Sequence, residues 1–298
     1  MTIIQLEYLL SVAKHGSFSV AANHCYVTQP SLSTQIKNLE DELGVLLLNR
    51  STKPLELTEA GKIVVEKAKN AIAEFYMVEE TVKEMKGEVS GTLKIAAIPT
   101  IAPYLLHKFI PKFADAYPKL HIEISEMFTH DIVKAINDGK IDVAILAAGF
   151  LEGSGIKEDI LFEDRFYYYA ADNNPLLNDS EVSVMDIDVS SLLLLADGHC
   201  LRTQILDLCN SKNPLGANLN LQGGSLETII RMVDQAQKAT ILPKMAVDFM
   251  SEETRKTKVR EFKERKSTSR QISIAYGKNF IKKATLESLK EFIIANHK

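Results

Sequence analysis

The chain has 298 residues, 46% of them hydrophobic and 25% charged, with a formal net charge of -4. That balance belongs to a globular protein long enough for two or three domains with real cores. No apolar run of about 18 residues argues for a membrane span, the three cysteines are too few for a disulfide scaffold, and the N-terminus lacks the charged-then-apolar order of a secretory signal, so no membrane association and a reducing, cytoplasmic setting are expected.

Residues 1–57 read as compact helices followed by a hairpin. Leu6, Leu9, Leu10 and Ala13 give one apolar helical face, and Phe18, Ala21, Ala22 and Cys25 a second. Thr28 is placed to cap a third helix with Pro30 in its first turn, where a missing N–H is harmless. That helix is apolar at Leu32, Ile36, Leu39 and Leu43 and stops at Gly44, leaving Ser31, Ser33, Thr34, Lys37 and Asn38 off the apolar face. Two short strands, at 46–48 and 55–57, flank the turn Asn49-Arg50-Ser51-Thr52-Lys53-Pro54. Helix, turn, helix and basic-tipped hairpin predict a winged helix-turn-helix; a small helical domain that binds nothing is the plainer alternative. The first 88 residues hold 9 Lys and Arg against 12 Asp and Glu, so DNA binding must rest on local placement of charge.

Residues 58–87 read as one long helix begun by Thr58. Val64, Ala68, Ala71, Phe75, Val78, Val82 and Met85 alternate steps of 4 and 3 residues, the seam of a coiled coil. So narrow a stripe on so long a helix predicts a partner helix; packing on its own domain is the alternative. Gly87 and Gly91 mark a linker.

From residue 92 strands and helices alternate. Strands are expected at 93–98, 121–125, 143–146, 166–171, 191–195, 240–242 and 271–275. Helices are expected at 102–117, up to 138, from Cys200, from Ser225 and from 280 to 295. The alternation predicts α/β structure with a largely parallel sheet. Ligands bind such sheets beyond the strand ends, at helix N-termini. Thr100, Thr129, Gly198-His199 and Ser225 stand at four such junctions.

Two of the three cysteines lie nine residues apart, in Gly198-His199-Cys200-Leu201-Arg202 and at Cys209. Cys200 is expected at a helix start, where N–H groups favour an anion, with His199 and Arg202 adding positive or hydrogen-bonding character. All three influences lower a thiol pKa. A thiolate displaces water from hydrogen peroxide and becomes a sulfenic acid, which a second thiol can condense with to a disulfide. Nine residues of continuous helix rise about 13.5 Å, whereas a disulfide spans about 4.4–6.8 Å between Cα atoms. Joining Cys200 to Cys209 would therefore require the segment between them to refold, with Asn210-Ser211-Lys212-Asn213-Pro214 as slack. The residues alone leave open a pair of inert buried cysteines. A zinc site lacks a fourth ligand of recognisable spacing. Cys25 falls on an apolar face and reads as core.

Taken together, these segments resemble the LysR-type transcriptional regulators over essentially the whole chain. The resemblance runs through Phe18-Ser19-Val20-Ala21-Ala22, Val27-Thr28-Gln29-Pro30-Ser31-Leu32-Ser33, Ile36 to Gly44, Leu48-Asn49-Arg50 and Leu57-Thr58-Glu59-Ala60-Gly61. Within that family, Asp197 to Arg202, Cys209, Ser225-Leu226-Glu227-Thr228 and Ile98 to Leu106 resemble the peroxide-sensing branch.

That resemblance implies Cys200 as the peroxide-reactive residue and Cys209 as its resolving partner. It places Thr100, Thr129, Gly198, His199, Arg202 and Arg270 around a peroxide pocket. It puts Thr28, Gln29, Ser31, Ser33, Thr34, Lys37, Arg50 and Lys53 against DNA. The implied architecture is a winged helix-turn-helix (1–58), a linker and dimerisation helix (59–89) and a periplasmic-binding-like α/β regulatory domain (90–298). The last comprises subdomain I (90–162 and 268–298) and subdomain II (163–267). Implied partners are promoter DNA, a second copy through 59–89 with assembly to a homotetramer, hydrogen peroxide as signal, RNA polymerase, and a thiol reductant such as glutaredoxin or thioredoxin. Neither cofactor nor metal is expected, and no enzymatic role. The alternatives are a regulator sensing a small anionic metabolite with inert cysteines, and a thiol peroxidase, which would need neither the helix-turn-helix nor the heptad helix. Gln237-Lys238-Ala239 departs from the glycine-rich turn the family uses before the Ile241-Leu242-Pro243 strand end.

Overall fold

In the computed structural model, which describes residues 1–52, 54–209, 224–278 and 280–297, the chain divides into two units, Met1–Met85 and Lys86–Lys298. The first unit opens with helix α1 (Ile3–His15). Its start is fixed by a capping box, in which Thr2 accepts from the Gln5 N–H and the Gln5 side chain accepts from the Thr2 N–H. Helix α2 (Phe18–His24) is capped by Ser17. Helix α3 (Gln29–Leu43) begins after Thr28, whose side chain makes no hydrogen bond to the first turn, so the cap expected of Thr28 is not formed; its carbonyl accepts only the first intrahelical bond, from the Leu32 N–H at 3.1 Å. Leu9, Leu32, Ile36 and Leu39 are fully buried at the centre of this three-helix packing.

The wing strands are shorter than expected, β1 (Leu48–Asn49) pairing antiparallel with β2 (Glu56–Leu57). What holds the wing to α3 is Glu40. Its buried carboxylate accepts from the Leu47 and Leu48 N–H groups at 2.8 and 3.2 Å and from Arg50 at 2.8 Å. Helix α4 (Glu59–Met85) starts where Thr58 accepts from the Gly61 N–H at 2.9 Å. Its first turns pack on α1 through Val65 and Ala68, while Phe75, Val78 and Val82 stand 54%, 64% and 48% exposed. The stripe thus splits: its start serves its own domain and its end stays uncovered. The Met85 side chain lies outside the described residues, as does Lys53.

The second unit runs β3 (Gly91–Ala97), α5 (Ala102–Ala116), β4 (Leu120–Glu126), α6 (Thr129–Asn137), β5 (Val143–Ala147), β6 (Ile156–Ala170) and β7 (Glu181–Val182), with three single turns of 3-10 helix around β7. It continues with α7 (Cys200–Leu208), α8 (Leu226–Ala236), β8 (Ala239–Pro243), α9 (Lys244–Val247), α10 (Glu252–Lys258), β9 (Val259–Phe262), β10 (Ser269–Gly277) and α11 (Lys283–Asn296). One sheet orders its strands β4-β3-β5-β10-β6-β9-β7, with β8 also on β6.

The expected largely parallel sheet is instead mixed. β3 lies parallel to β4 and β5, but β10 runs antiparallel to β5 and β6, and β6 antiparallel to β8 and β9. The cause is β6, a strand of 15 residues. It pairs with β10 as far as Arg165 and from Phe166 onward with β8 and then β9. Only its second half carries the apolar run that marked a strand; the first half alternates with Lys157, Glu158, Asp159, Glu163 and Asp164.

The expected strand at 191–195 is an extended buried segment that makes a single bridge, Leu192 to Ala239. Its leucines bury like a strand, and it lies along the edge of β8 opposite β6, where the Leu193 N–H donates to the Ala239 carbonyl at 2.8 Å and the Thr240 hydroxyl to the Leu193 carbonyl at 2.7 Å. Gln237 takes the left-handed conformation (φ 52°) that closes α8, so the turn keeps the shape a glycine would give at some cost in strain. Among the described residues, no helix is long and apolar enough to cross a membrane.

Gly61 marks the tightest approach in the first unit. A Cβ there would meet the Leu47 carbonyl oxygen at 2.0 Å, a backbone atom that cannot step aside. Gly61→Ala is expected to lower the stability of this unit by about 2–3 kcal/mol. Urea unfolding followed in the full chain checks this, and an unchanged midpoint would mean that α4 shifts freely against the wing.

Candidate functional site

Cys200 opens α7 at 7% exposure. The chain reaches it through the buried leucines 192–195 and a turn at Gly198, whose φ of 97° is open to glycine but strained for other residues. Arg202 fastens that turn, pairing with Asp197 at 2.9 Å and donating to the Leu195 carbonyl at 3.1 Å. Two other elements act on the sulfur, Thr129 from the start of α6 and Arg270 from β10, and Thr100, after β3, is held by Arg270.

Burial dominates the electrostatics. Desolvation pushes the Cys200 thiol pKa up, and the Arg270 charge, Thr129 and the N–H groups of Leu201 and Cys200 itself oppose the rise without cancelling it. The expectation of a depressed pKa is therefore corrected: an N-terminal helix position helps, but a sulfur this dry prefers its proton. The neighbours expected to assist are also reassigned. Arg202 is committed to Asp197, and His199 is itself buried, which lowers its pKa and leaves it neutral at pH 7. The cation that acts on the sulfur is Arg270.

Arg270 belongs to a closed buried network. It pairs with Asp164, its ladder partner across β6–β10, at 3.0 Å through both Nε and Nη2. It also donates to Thr100 Oγ1 and the Thr100 carbonyl, each at 3.1 Å. Asp164 in turn accepts from the Met245 N–H at 3.1 Å. Asp164 was not legible as a site residue, because it sits in the charged run Glu163-Asp164-Arg165, which reads as surface. A second unforeseen link joins α5 to α8, where Tyr104 donates to Glu227 at 2.9 Å; burial and then Glu227 hold its phenol pKa up.

Two buried polar atoms here have no partner among the described residues, Thr129 Oγ1, which acts on the sulfur, and Nε2 of the preceding residue His199. Thr129 stands close enough to favour the thiolate but completes no hydrogen bond of normal geometry. Phe128 closes the site, its ring edge-on to His199 at 4.8 Å.

Cys209 caps the other end of α7, half-buried, with its pKa also raised by burial. Both cysteines are free. With α7 intact between them, their separation along the helix is about 13.5 Å, beyond disulfide reach. The stretch expected to give slack, Asn210 to Pro214, lies outside the described residues.

On the first unit, Thr28, Gln29, Ser31, Thr34 and Lys37 are exposed along α3 and Ser33 is half-buried. The Thr34 hydroxyl is engaged by the Pro30 carbonyl at 2.8 Å. Arg50, expected to face DNA, is 42% exposed, pairs with Glu40 and lies 5.5 Å from the Phe18 ring centroid. Among the described residues, no group of three or more His, Cys, Asp or Glu could hold a metal ion.

Removing Arg270 strands a buried carboxylate. Arg270→Met is expected to cost about 3–5 kcal/mol and to slow alkylation of Cys200 by raising its pKa further. Adding Asp164→Leu should recover much of the stability but none of the thiol reactivity; recovery of both would show that Arg270 acts on the sulfur only through the fold.

Residues 3–62 match the bacterial regulatory helix-turn-helix protein of the lysR family, and residues 86–298 the LysR substrate binding domain. A "Hydrogen peroxide-inducible genes activator" of Dickeya chrysanthemi is 38% identical over 247 residues, 83% of this chain and 80% of the relative. The "DNA-binding transcriptional dual regulator OxyR" of Escherichia coli is 37% identical over 247 residues, again 83% and 80% of the two chains. Full-length OxyR from Pseudomonas aeruginosa with a cysteine-to-aspartate substitution aligns with a TM-score of 0.71 at 31% identity, covering 99% of this chain and 98% of that one. A cysteine-to-serine mutant of Corynebacterium glutamicum OxyR with hydrogen peroxide bound aligns at 0.66 and 30%, covering 99% and 92%. With both of its domains matched and relatives of this identity over most of its length, the chain belongs to the LysR family of transcriptional regulators, within its OxyR branch.

Proposed function

We propose that this protein is a DNA-binding transcriptional regulator that senses hydrogen peroxide through Cys200 and Cys209. The observation that carries the reading is a buried cysteine at a helix N-terminus in the field of Arg270, with the unpartnered Thr129 Oγ1 acting on it and an unpartnered Nε2 on the preceding His199. The Cys200 thiol gives up its proton, and the thiolate attacks one peroxide oxygen. The O–O bond breaks, the sulfur becomes a sulfenic acid, and the leaving hydroxide takes a proton to become water. Cys209 thiolate then attacks that sulfur, forming the S–S bond and expelling hydroxide. Two electrons have left the protein for the peroxide. A dithiol reductant of the glutaredoxin or thioredoxin class returns them.

Because α7 holds the sulfurs apart, the second step is coupled to unwinding of α7, which turns a covalent event into a change of shape. Promoter DNA is read by α3. The uncovered Phe75, Val78 and Val82 of α4 pair with a second copy, and two dimers form the tetramer that acts with RNA polymerase in the cytoplasm. The change of partner along β6, between Arg165 and Phe166, supports division of the regulatory domain into the two subdomains, 90–162 with 268–298 and 163–267.

Treating the purified protein with a slight excess of hydrogen peroxide, mapping thiols by mass spectrometry and repeating a promoter footprint tests this. A Cys200–Cys209 bridge with an altered footprint is expected. Unreacted thiols, with binding changed only by an anionic metabolite, would sink it, and rapid multiple turnover without effect on DNA would make the protein a peroxidase. Cys200→Ser should abolish the response and Cys25→Ser leave it intact.

The pH dependence follows from the raised thiol pKa. Below that pKa the thiolate fraction rises about tenfold per pH unit, so the rate of Cys200 oxidation should climb from pH 6 to pH 8 with no plateau. A rate flat over that range would show a thiol already ionised at rest.

A further inference from the structure

The turn between α2 and α3 contains a side chain that the fold does not use. Tyr26 is 96% exposed, and its backbone sits in the left-handed region at φ 55°, where a bulky residue is disfavoured and Asn or Gly is at home. Among the described residues its ring meets no other aromatic and its hydroxyl makes no hydrogen bond. The turn itself is held by backbone alone, with the Tyr26 N–H donating to Asn23 at 3.2 Å and the Val27 N–H to Ala22 at 3.0 Å. Strain and solvent exposure thus fall on one residue with no return in packing, the pattern expected where recognition rather than stability sets the side chain.

Its place gives the exposure a use. Tyr26 precedes Thr28 and Gln29, the first residues of the helix that reads DNA, and the Thr28 hydroxyl is likewise left uncommitted by the cap. Arg50, the cation at the wing, is paired with Glu40. A neutral donor beside the recognition helix positions phosphate without drawing on that charge.

We propose that Tyr26 is a DNA-positioning residue, its ring lying along the sugar-phosphate backbone beside the recognition groove and its phenol O–H donating to a phosphate oxygen. This rests on the reading of the chain as a DNA-binding regulator. A phenol displaces no counterion, so its contribution is independent of salt, whereas each lysine contact adds about one unit to the slope of log K against log salt.

The test uses the full chain and the tightest duplex that the unsubstituted protein selects from a random-sequence library, followed by fluorescence anisotropy over a range of salt. Tyr26→Phe, which keeps the ring, is expected to weaken binding about three- to tenfold with the salt slope unchanged. Tyr26→Asn suits the left-handed turn and should weaken binding further while leaving the thermal midpoint of the protein equal or higher. Lys37→Met, by contrast, should flatten the slope. Affinity within twofold of the unsubstituted protein for both Tyr26 variants would overturn the proposal, as would a loss accompanied by a flatter slope. Failure of the unsubstituted protein to select any duplex would sink the regulator reading, and Tyr26 with it.

Discussion

The pairing of Arg270 with Asp164 is the constraint on which the regulatory unit turns. Both side chains are almost wholly excluded from water, and burying two charges is costly even when they meet. The cost is limited by completeness: the guanidinium also holds both oxygens of Thr100, and the carboxylate also takes the Met245 N–H. Desolvation still pushes the Asp164 pKa up, with Arg270 pulling against it. The pair sits one residue from the point where β6 exchanges β10 for β8. It therefore ties the end of β3, the crossing strand, the returning strand and the start of α9 into a single locus. A hydrophobic pair of similar volume would hold that locus more cheaply, but would set no field at the neighbouring sulfur.

That field sets the character of the thiol. A cysteine exposed at a helix N-terminus beside cations would be ionised at rest and open to any electrophile. Cys200 is instead held dry, with its proton favoured and its ionisation merely assisted by Arg270, Thr129 and two amides. Selectivity follows from the combination. In the proposed function, burial of the sulfur disfavours a bulky oxidant, and a small one with hydrogen-bonding capacity meets Thr129 Oγ1 and His199 Nε2. Reactivity is thus supplied jointly by protein and ligand.

Much of this was legible in the residues. The helix that ends at Gly44, the start of α4 at Thr58 and the helix start at Cys200 all follow from local chemistry, which depends on near neighbours in sequence. What escaped depends on distant ones. Ile156 to Arg165 looks like a charged surface segment, and only its partner β10, more than a hundred residues on, makes it a strand and makes Asp164 an internal counter-ion. Leu192 to Leu195 carries the opposite lesson, since a buried apolar run that reads as a strand yields an extended segment with one bridge to β8 and no full ladder. The sign of the Cys200 shift was misread for a related reason. Flanking residues indicate which charges are near in sequence, whereas burial, the larger influence, is set by the whole fold.

In the proposed mechanism, the length of α7 explains why one covalent change would suffice to reorganise it. A helix of nine residues is too short to persist in water on propensity alone, and its N-cap residue, His199, makes no side-chain cap bond. It stands because Leu201 and Ile205 are buried and because its first residue is a small neutral thiol that tolerates burial. Oxidation changes the last of these. A sulfenic acid is polar, and in a dry site it needs hydrogen bonds that Thr129 and His199 can meet only in part. The group whose burial favoured the helix then opposes it, and exposure of Cys200 is at once the relief of that cost and the condition for meeting Cys209. The same desolvation that keeps the resting thiol protonated thus works, after oxidation, to drive the helix open.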